Sequence, residues 1–183
     1  MKYLIKKIFL EKNVYCYLLK LFQKHLIHKT MKKIEIKKSI LAGLFSSMTI
    51  GILTLLTYKT SYGVFLIASF GSSMVLLYGY PESPFAQPKN IFFGHLLTAI
   101  VGVAFLYFVQ LPIYIIIPLA VGFGVGLMIL MNVTHPPAGG NPIIVIMGSV
   151  SLDYLINPII IGSLIILSFG VVLNRLILKK KYP

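Results

Sequence analysis

Residues 132–148 read NVTHPPAGGNPIIVIMG, and this stretch decides how the rest of the chain is read. It interrupts an otherwise apolar, membrane-like sequence with His135, the prolines Pro136, Pro137 and Pro142, and the adjacent glycines Gly139 and Gly140. A bilayer accepts non-helical backbone only where protein or a water-filled cavity satisfies the freed N–H and C=O groups. An interruption of this kind marks a place where the chain binds something.

Composition supports the membrane reading. Of 183 residues, 57% are hydrophobic and 11% charged, and the mean hydropathy is +0.90, which excludes an ordinary soluble domain. The formal net charge is +13, and it is uneven: residues 1–38 hold eleven lysines and two glutamates, the remainder six basic and two acidic residues. The lone Cys16 allows no intrachain disulfide, and no CxxC or Cys/His cluster points to zinc or an iron–sulfur centre, so no cofactor is expected. Glu11 and Lys12 break the first apolar run too early for a cleavable signal peptide, and Met31 offers an alternative start.

Residues 1–38 form a basic N-terminal segment with apolar residues at Leu4, Ile8, Tyr15, Leu18, Phe22 and Leu26. Two readings stay open: an amphipathic helix on an anionic leaflet, each nearby lysine contributing about 1 kcal/mol, or a basic tail that fixes topology. His25 and His28 lack a third metal ligand nearby, and nucleic acid is an unfavoured partner because the basic residues adjoin membrane spans.

The membrane domain, residues 39–178, divides into six apolar segments at 39–57, 62–80, 91–110, 112–132, 141–150 and 158–178. The fifth, about ten residues, is too short for a perpendicular span and is expected as a half-helix or re-entrant segment. The second carries Ser69, Gly71, Ser72 and Ser73 at its centre, which fits either tight packing or a local break. Residues 81–90, PESPFAQPKN, are expected as a structured loop. Small-residue faces at Gly43, Ser47 and Gly51, and at Gly122 and Gly126, allow close packing within the chain or in a homo-oligomer. Basic residues at both ends, including the tail at 179–183, place both termini in the cytoplasm of a multi-pass protein of the cell's inner membrane, with an even number of crossings.

Laying residues 71–79 over 139–148 aligns Gly79 with Gly148, and Gly94 then meets Gly162. Three elements per half would make an inverted 3+3 repeat, in which paired broken segments mark a site near the midplane; chance similarity between glycine-rich apolar segments is the other reading.

The candidate site follows from this pairing. A short helix opening near Ala138 or Asn141 would present N–H groups and a positive dipole end, worth about 0.3–2 kcal/mol toward an anion, with Gly139 and Gly140 permitting close approach. Gly71, Ser72 and Ser73 would supply a second such end. His135 would hold charge, relay a proton or cap a helix, and His95 is an ionisable group inside a span. Lys89 and Asn90 would form a cytoplasmic mouth or a solvated loop, and Asn132 and Asn141 read as backbone caps ahead of ligands. The spans carry no Asp or Glu, which suits an anion better than a metal cation.

Two strings, FGSSMVLLYGYPESPFAQPKNIFFGH at 70–95 and THPPAGGNP at 134–142, closely resemble the two signatures of the HPP family of integral membrane proteins, over roughly residues 39–178. The resemblance implies a compact bundle of helices and, by way of plastid and cyanobacterial relatives, nitrite transport. Lys89 departs from the arginine expected in AQPRN, keeping the charge but giving up bidentate geometry. The expectation is therefore an all-α integral membrane protein of about six helical segments. It would be a transporter or channel for a small inorganic anion, nitrite leading, with a non-transporting scaffold or sensor as the alternative. No Ser/His/Asp order, paired intramembrane Asp, HExxH or nucleotide loop supports an enzyme.

Overall fold

The structure, a computed structural model, describes residues 36–183. The expected N-terminal basic helix and the His25/His28 pair lie outside the described residues. By internal contacts the chain divides into residues 1–40 and 41–183, and the architecture below is that of the second unit.

The described residues form helices and no strands. Helix α1 covers Ile36–Lys59, α2 Ala68–Met74 with a π turn Val75–Gly79 continuing it, α3 Pro88–Phe108 and α4 Ile113–Leu130. A 3-10 turn, Pro136–Gly140, leads into α5, Asn141–Gly148. Helix α6, Leu155–Ile177, is π-helical at both ends around Ser163–Val171. Four helices, α1, α3, α4 and α6, are long and apolar enough to cross a membrane. Their outer faces present residues such as Leu44, Phe123 and Leu164 to the surroundings, as lipid contact requires.

Several boundaries differ from those read in the sequence. Helix α1 is longer than 39–57 at both ends. Helix α3 begins at Pro88, so Lys89 and Asn90 stand in its first turn and not in the preceding loop. Proline suits a first helical position because the N–H it lacks would have had no intrahelical acceptor there.

The two short helices complete interrupted spans. In the second segment the interruption lies at the extended residues before α2, N-terminal to the Ser69–Ser73 centre. The Phe65 and Leu66 N–H groups both donate to Thr57 Oγ1, at 3.0 and 3.1 Å, which satisfies backbone that has left the helical ladder. Gly63 holds a φ of +108°, and a Cβ there would meet Asn157 Nδ2 at 2.6 Å, so this turn requires glycine. Helix α2 then runs antiparallel to α1, with the Tyr78 hydroxyl 2.7 Å from Thr49 Oγ1.

The fifth segment is the short helix expected from its length, and the residues leading into it carry its path further than the helix alone. Asn90 Nδ2 donates to the Thr134 carbonyl at 2.9 Å near the start of α3, and the Tyr107 hydroxyl reaches the Val150 carbonyl at 3.5 Å near its end. The segment thus accompanies α3, in the same direction, along nearly its whole length. A 3-10 turn rises about 2.0 Å per residue against about 1.5 Å for an α-helix, so the turn adds reach that helix length alone understates.

Glycines set the spacing between these segments and the long helices. A Cβ on Gly94 of α3 would lie 2.8 Å from His135 Cβ, and one on Gly102 would lie 2.9 Å from Pro142 Cα. In α6, a Cβ on Gly162 would lie 2.5 Å from Phe70 Cε2, and one on Gly170 would lie 2.6 Å from Leu77 Cδ1. The two pairs share one spacing, and each member stands 68 residues from its counterpart. Helix α3 therefore packs along the interrupted span of the second half and α6 along that of the first, the relation an inverted repeat produces.

At one end of the bundle, Lys180 Nζ meets Glu82 Oε1 at 2.8 Å, and the buried Tyr182 donates its hydroxyl to the Ala86 carbonyl at 3.0 Å. Burial, and secondarily the charge of Tyr78, push the Tyr182 phenol above its usual range, so it stays a neutral donor. The C-terminal residues thereby hold the loop at 81–87. Gly63, Asp153 and Asn157 lie at the opposite end.

Gly102→Ala should lower stability by about 1–3 kcal/mol, because its new methyl meets backbone at Pro142. Gly170→Ala should cost less, because the atoms it meets are the flexible end of Leu77, and Gly122→Ala, which meets nothing within 4 Å, should be neutral. Thermal unfolding midpoints in detergent rank the three, and equal midpoints would contradict this packing. Tyr182→Phe should cost about 1 kcal/mol and Lys180→Ala less than about 0.5 kcal/mol, as expected for a buried hydrogen bond against an ion pair with an exposed glutamate.

Candidate functional site

Six polar side chains, Ser69, Ser73, His95, Thr98, His135 and Asn141, are buried where the two interrupted spans meet α3. Their placement follows from local sequence. Ser69 and Ser73 are four residues apart on α2 and so share one face, as His95 and Thr98 do at a separation of three on α3. Pro136 and Pro137 keep the chain extended up to His135, whose φ of −133° and ψ of +100° lie outside the helical region. The 3-10 turn then delivers Asn141 to the level of His95.

The hydrogen bonds form one connected set. Ser73 Oγ lies 3.0 Å from His95 Nε2, 2.8 Å from His135 Nε2 and 3.0 Å from the Ser69 carbonyl. His135 Nδ1 sits 2.7 Å from the Phe85 carbonyl, in the loop held by Tyr182. Asn141 Nδ2 lies 3.1 Å from each of His95 Nδ1, the His95 carbonyl and Thr98 Oγ1, while Asn141 Oδ1 accepts from Ser69 Oγ at 2.8 Å. The imidazole rings stand 5.0 Å apart between centroids, and the Phe70 ring meets His95 edge-on at 5.0 Å. The cluster contains no carboxylate. Its chemistry is that of neutral donors and acceptors with two imidazoles in a dry setting, where every unpaired polar atom is costly.

Of the residues singled out from the sequence, the structure brings Ser73, His95, His135 and Asn141 together. The other candidates lie elsewhere. Gly71 and Ser72 are exposed on the opposite face of α2, where Gly71 borders a groove against Gly43 and Ser46 of α1. Lys89 is exposed on α3 beside Phe93, Leu97 and Met131. Ala138 packs with Met128 and Val133, and Gly139 and Gly140 are half-buried in the 3-10 turn. The turn offers less free N–H than a helix end would: Pro136 and Pro137 have none, Ala138 N–H bonds the His135 carbonyl at 2.9 Å, and Asn141 N–H bonds the Ala138 carbonyl. Asn141 makes no side-chain cap and instead sits at the centre of the cluster. Asn132, at φ 54°, ends α4 in the left-handed region that asparagine tolerates.

Sequence reading noted Ser69 only as part of the polar centre of the second segment, and it missed Thr98 and the Phe85 carbonyl. Ser69 and Thr98 were detectable as helical neighbours of Ser73 and His95, but a loop carbonyl carries no signal in residue type. The residue one repeat on from His95 is Ser163, buried in α6 with its hydroxyl unpaired, so the two halves share packing without sharing chemistry. At the opposite end of the bundle a recess of about 550 Å³ is bordered by Ser61, Tyr62, Ser151, Asp153 and Asn157. Its acid does not favour an anion. Among the described residues no three His, Cys, Asp or Glu side chains gather as a metal site would need.

Comparison with known proteins agrees with this picture of a multi-pass membrane protein. Two transmembrane proteins of Dictyostelium discoideum resemble the chain. One is 37% identical over 126 residues, covering 64% of this chain and 44% of the relative. The other is 34% identical over 151 residues, covering 76% of this chain and 48% of the relative. The chain therefore spans about half the length of these curated relatives. No solved structure matches. The model of the HPP transmembrane region matches residues 31–183, which takes in every helix described above, and the chain belongs to the HPP family of integral membrane proteins.

Proposed function

We propose that this chain is a transporter or channel for a small inorganic anion, nitrite being the leading candidate, and that it is not an enzyme. The observation that carries the reading is the meeting of two interrupted spans in a buried, carboxylate-free polar cluster. A bundle that needed only to fold could use six uninterrupted helices, and interrupted spans that face each other are how transporters expose backbone and side-chain donors to a solute inside the bilayer. The donor set of hydroxyl, amide and imidazole groups suits a small monoanion, and the absence of acidic side chains leaves nothing to repel it. Nitrite in particular rests on the resemblance to plastid and cyanobacterial members.

The chain would work in the cell's inner membrane with both termini cytoplasmic. Six crossings bring Lys179, Lys180 and Lys181 to the end of the bundle at which Ala42 and Gly79 lie, and the positive-inside rule assigns that end to the cytoplasm. Gly43, Gly122 and Gly126 have no atom within 4 Å of a modest side chain and remain available to a second copy. The alternative, a membrane scaffold or sensor acting through a partner, draws on the basic N-terminal segment at 1–38.

Proteoliposomes loaded with nitrite, nitrate, formate or chloride separate the two. The transport reading expects nitrite flux that His135→Ala lowers about tenfold, the equivalent of losing one buried hydrogen-bond partner at about 1.4 kcal/mol. Lys89→Ala, outside the cluster, should lower it by less. Absence of flux for all four anions, with or without a proton gradient, would favour the scaffold.

A further inference from the structure

The cluster fixes which nitrogen of each histidine carries its proton. The His95 carbonyl can only accept, so the Asn141 atom 3.1 Å from it must be the amide nitrogen. That nitrogen also stands 3.1 Å from His95 Nδ1 and from Thr98 Oγ1, and because an amide nitrogen cannot accept, a hydrogen on Nδ1 would have no acceptor and the ring hydrogen sits on Nε2. His95 Nε2–H then donates to Ser73 Oγ, 3.0 Å away. The Phe85 carbonyl likewise only accepts, so His135 Nδ1 carries the hydrogen that bonds it at 2.7 Å. His135 Nε2 is left as an acceptor, and the one available donor is the Ser73 hydroxyl at 2.8 Å. Each ring and hydroxyl hydrogen has an acceptor, and the two amide hydrogens of Asn141 are shared among His95 Nδ1, the His95 carbonyl and Thr98 Oγ1.

Ser73 has a second acceptor within reach, the Ser69 carbonyl at 3.0 Å. If a proton adds to the lone pair of His135 Nε2, the ring becomes an imidazolium that donates through both nitrogens. The Ser73 hydroxyl hydrogen can then turn to the Ser69 carbonyl, and Ser73 Oγ receives N–H bonds from both histidines on its two lone pairs. No covalent bond breaks, one proton is gained, and every donor and acceptor keeps a partner. His95 has no such route, because the Asn141 N–H occupies the position a second proton would take, and turning the amide would set Asn141 Oδ1 against the His95 carbonyl.

From this geometry we infer that His135 is a carrier of a single proton inside the bundle, with the Ser73 hydroxyl as its two-position switch and Asn141 holding His95 neutral. Groups facing His135 are Ser73 from α2, His95 and Gly94 from α3 and the Phe85 carbonyl from the loop, and of these only the His95 side chain can take up a proton. An isolated positive charge at a fully buried position is expensive unless it is paired. A monoanion arriving beside it removes that expense, so proton and anion favour each other's presence. This coupling rests on the transport reading, whereas the protonation site does not.

Nitrogen-15 spectra of histidine-labelled full chain in lipid bilayers, in a His25→Gln/His28→Gln background, test the assignment directly. At high pH, His135 should show hydrogen on Nδ1 and a bare Nε2, and His95 the reverse. As the pH falls with nitrite present, His135 should become doubly protonated while His95 Nδ1 stays bare. Asn141→Asp, which replaces the donor at His95 Nδ1 with an acceptor, should move hydrogen onto that nitrogen. A second proton appearing on His95 first, or a neutral His135 with its hydrogen on Nε2, would overturn the inference. Parallel flux measurements should give one proton per nitrite. Loss of that ratio with the expected spectra would overturn the coupling, and loss of all flux would overturn the transport reading while leaving the protonation site standing.

Discussion

Backbone that stops being helical inside a bilayer must find partners from the protein itself, and this one requirement shapes the whole bundle. The chain leaves the helical ladder twice within its spans, at the residues before α2 and at those before α5. In the first case a single hydroxyl, Thr57, takes two backbone N–H groups. In the second, Asn90 donates to the Thr134 carbonyl, and the two prolines reduce the number of N–H groups that need a partner at all. What remains is polar side-chain capacity at the junction, and Ser69 and Asn141 join the two spans through it.

The long helices could not approach such a junction with ordinary side chains in the way. Gly94 and Gly102 on α3, and Gly162 and Gly170 on α6, remove the obstacle at two levels on each helix. The equal spacing within each pair and between the pairs ties packing to the repeat: each half supplies one interrupted span and one glycine-notched helix that embraces the span of the other half. Chemistry did not follow the same symmetry. His95 in one half faces a cluster, and its counterpart Ser163 has a buried hydroxyl without a partner.

Much of this arrangement was legible in the sequence, and the exceptions have physical causes. Hydropathy and the length of a membrane span found all six segments, because each rests on composition alone. His135 and Asn141 stood out because histidine and asparagine are costly in an apolar setting. Asn141 reads from the sequence as a cap ahead of a ligand, since a residue opening a short helix usually serves its own backbone, whereas here the preceding 3-10 turn already does so and frees the side chain for His95. Lys89 and Ser72 were drawn in by adjacency in sequence, yet helical periodicity turns both outward. The fifth segment is a short helix, as its length implies, and the extended residues and 3-10 turn ahead of it, which carry no helical periodicity, lengthen its path along α3. The Gly102 and Gly170 pair was present in the same register as Gly94 and Gly162, and only the contacts with Pro142 and Leu77 gave it meaning.

The central claim is that the two interrupted spans hold each other through the buried junction, and a double-mutant cycle on Ser69 and Asn141 addresses it most directly. Unfolding free energies of Ser69→Ala, Asn141→Leu and the double variant in bilayer-like detergent give the coupling between the two side chains. The expected coupling is about 0.5–3 kcal/mol, as for groups in one hydrogen-bonded network. Strict additivity would contradict it, since residues that do not meet contribute independently.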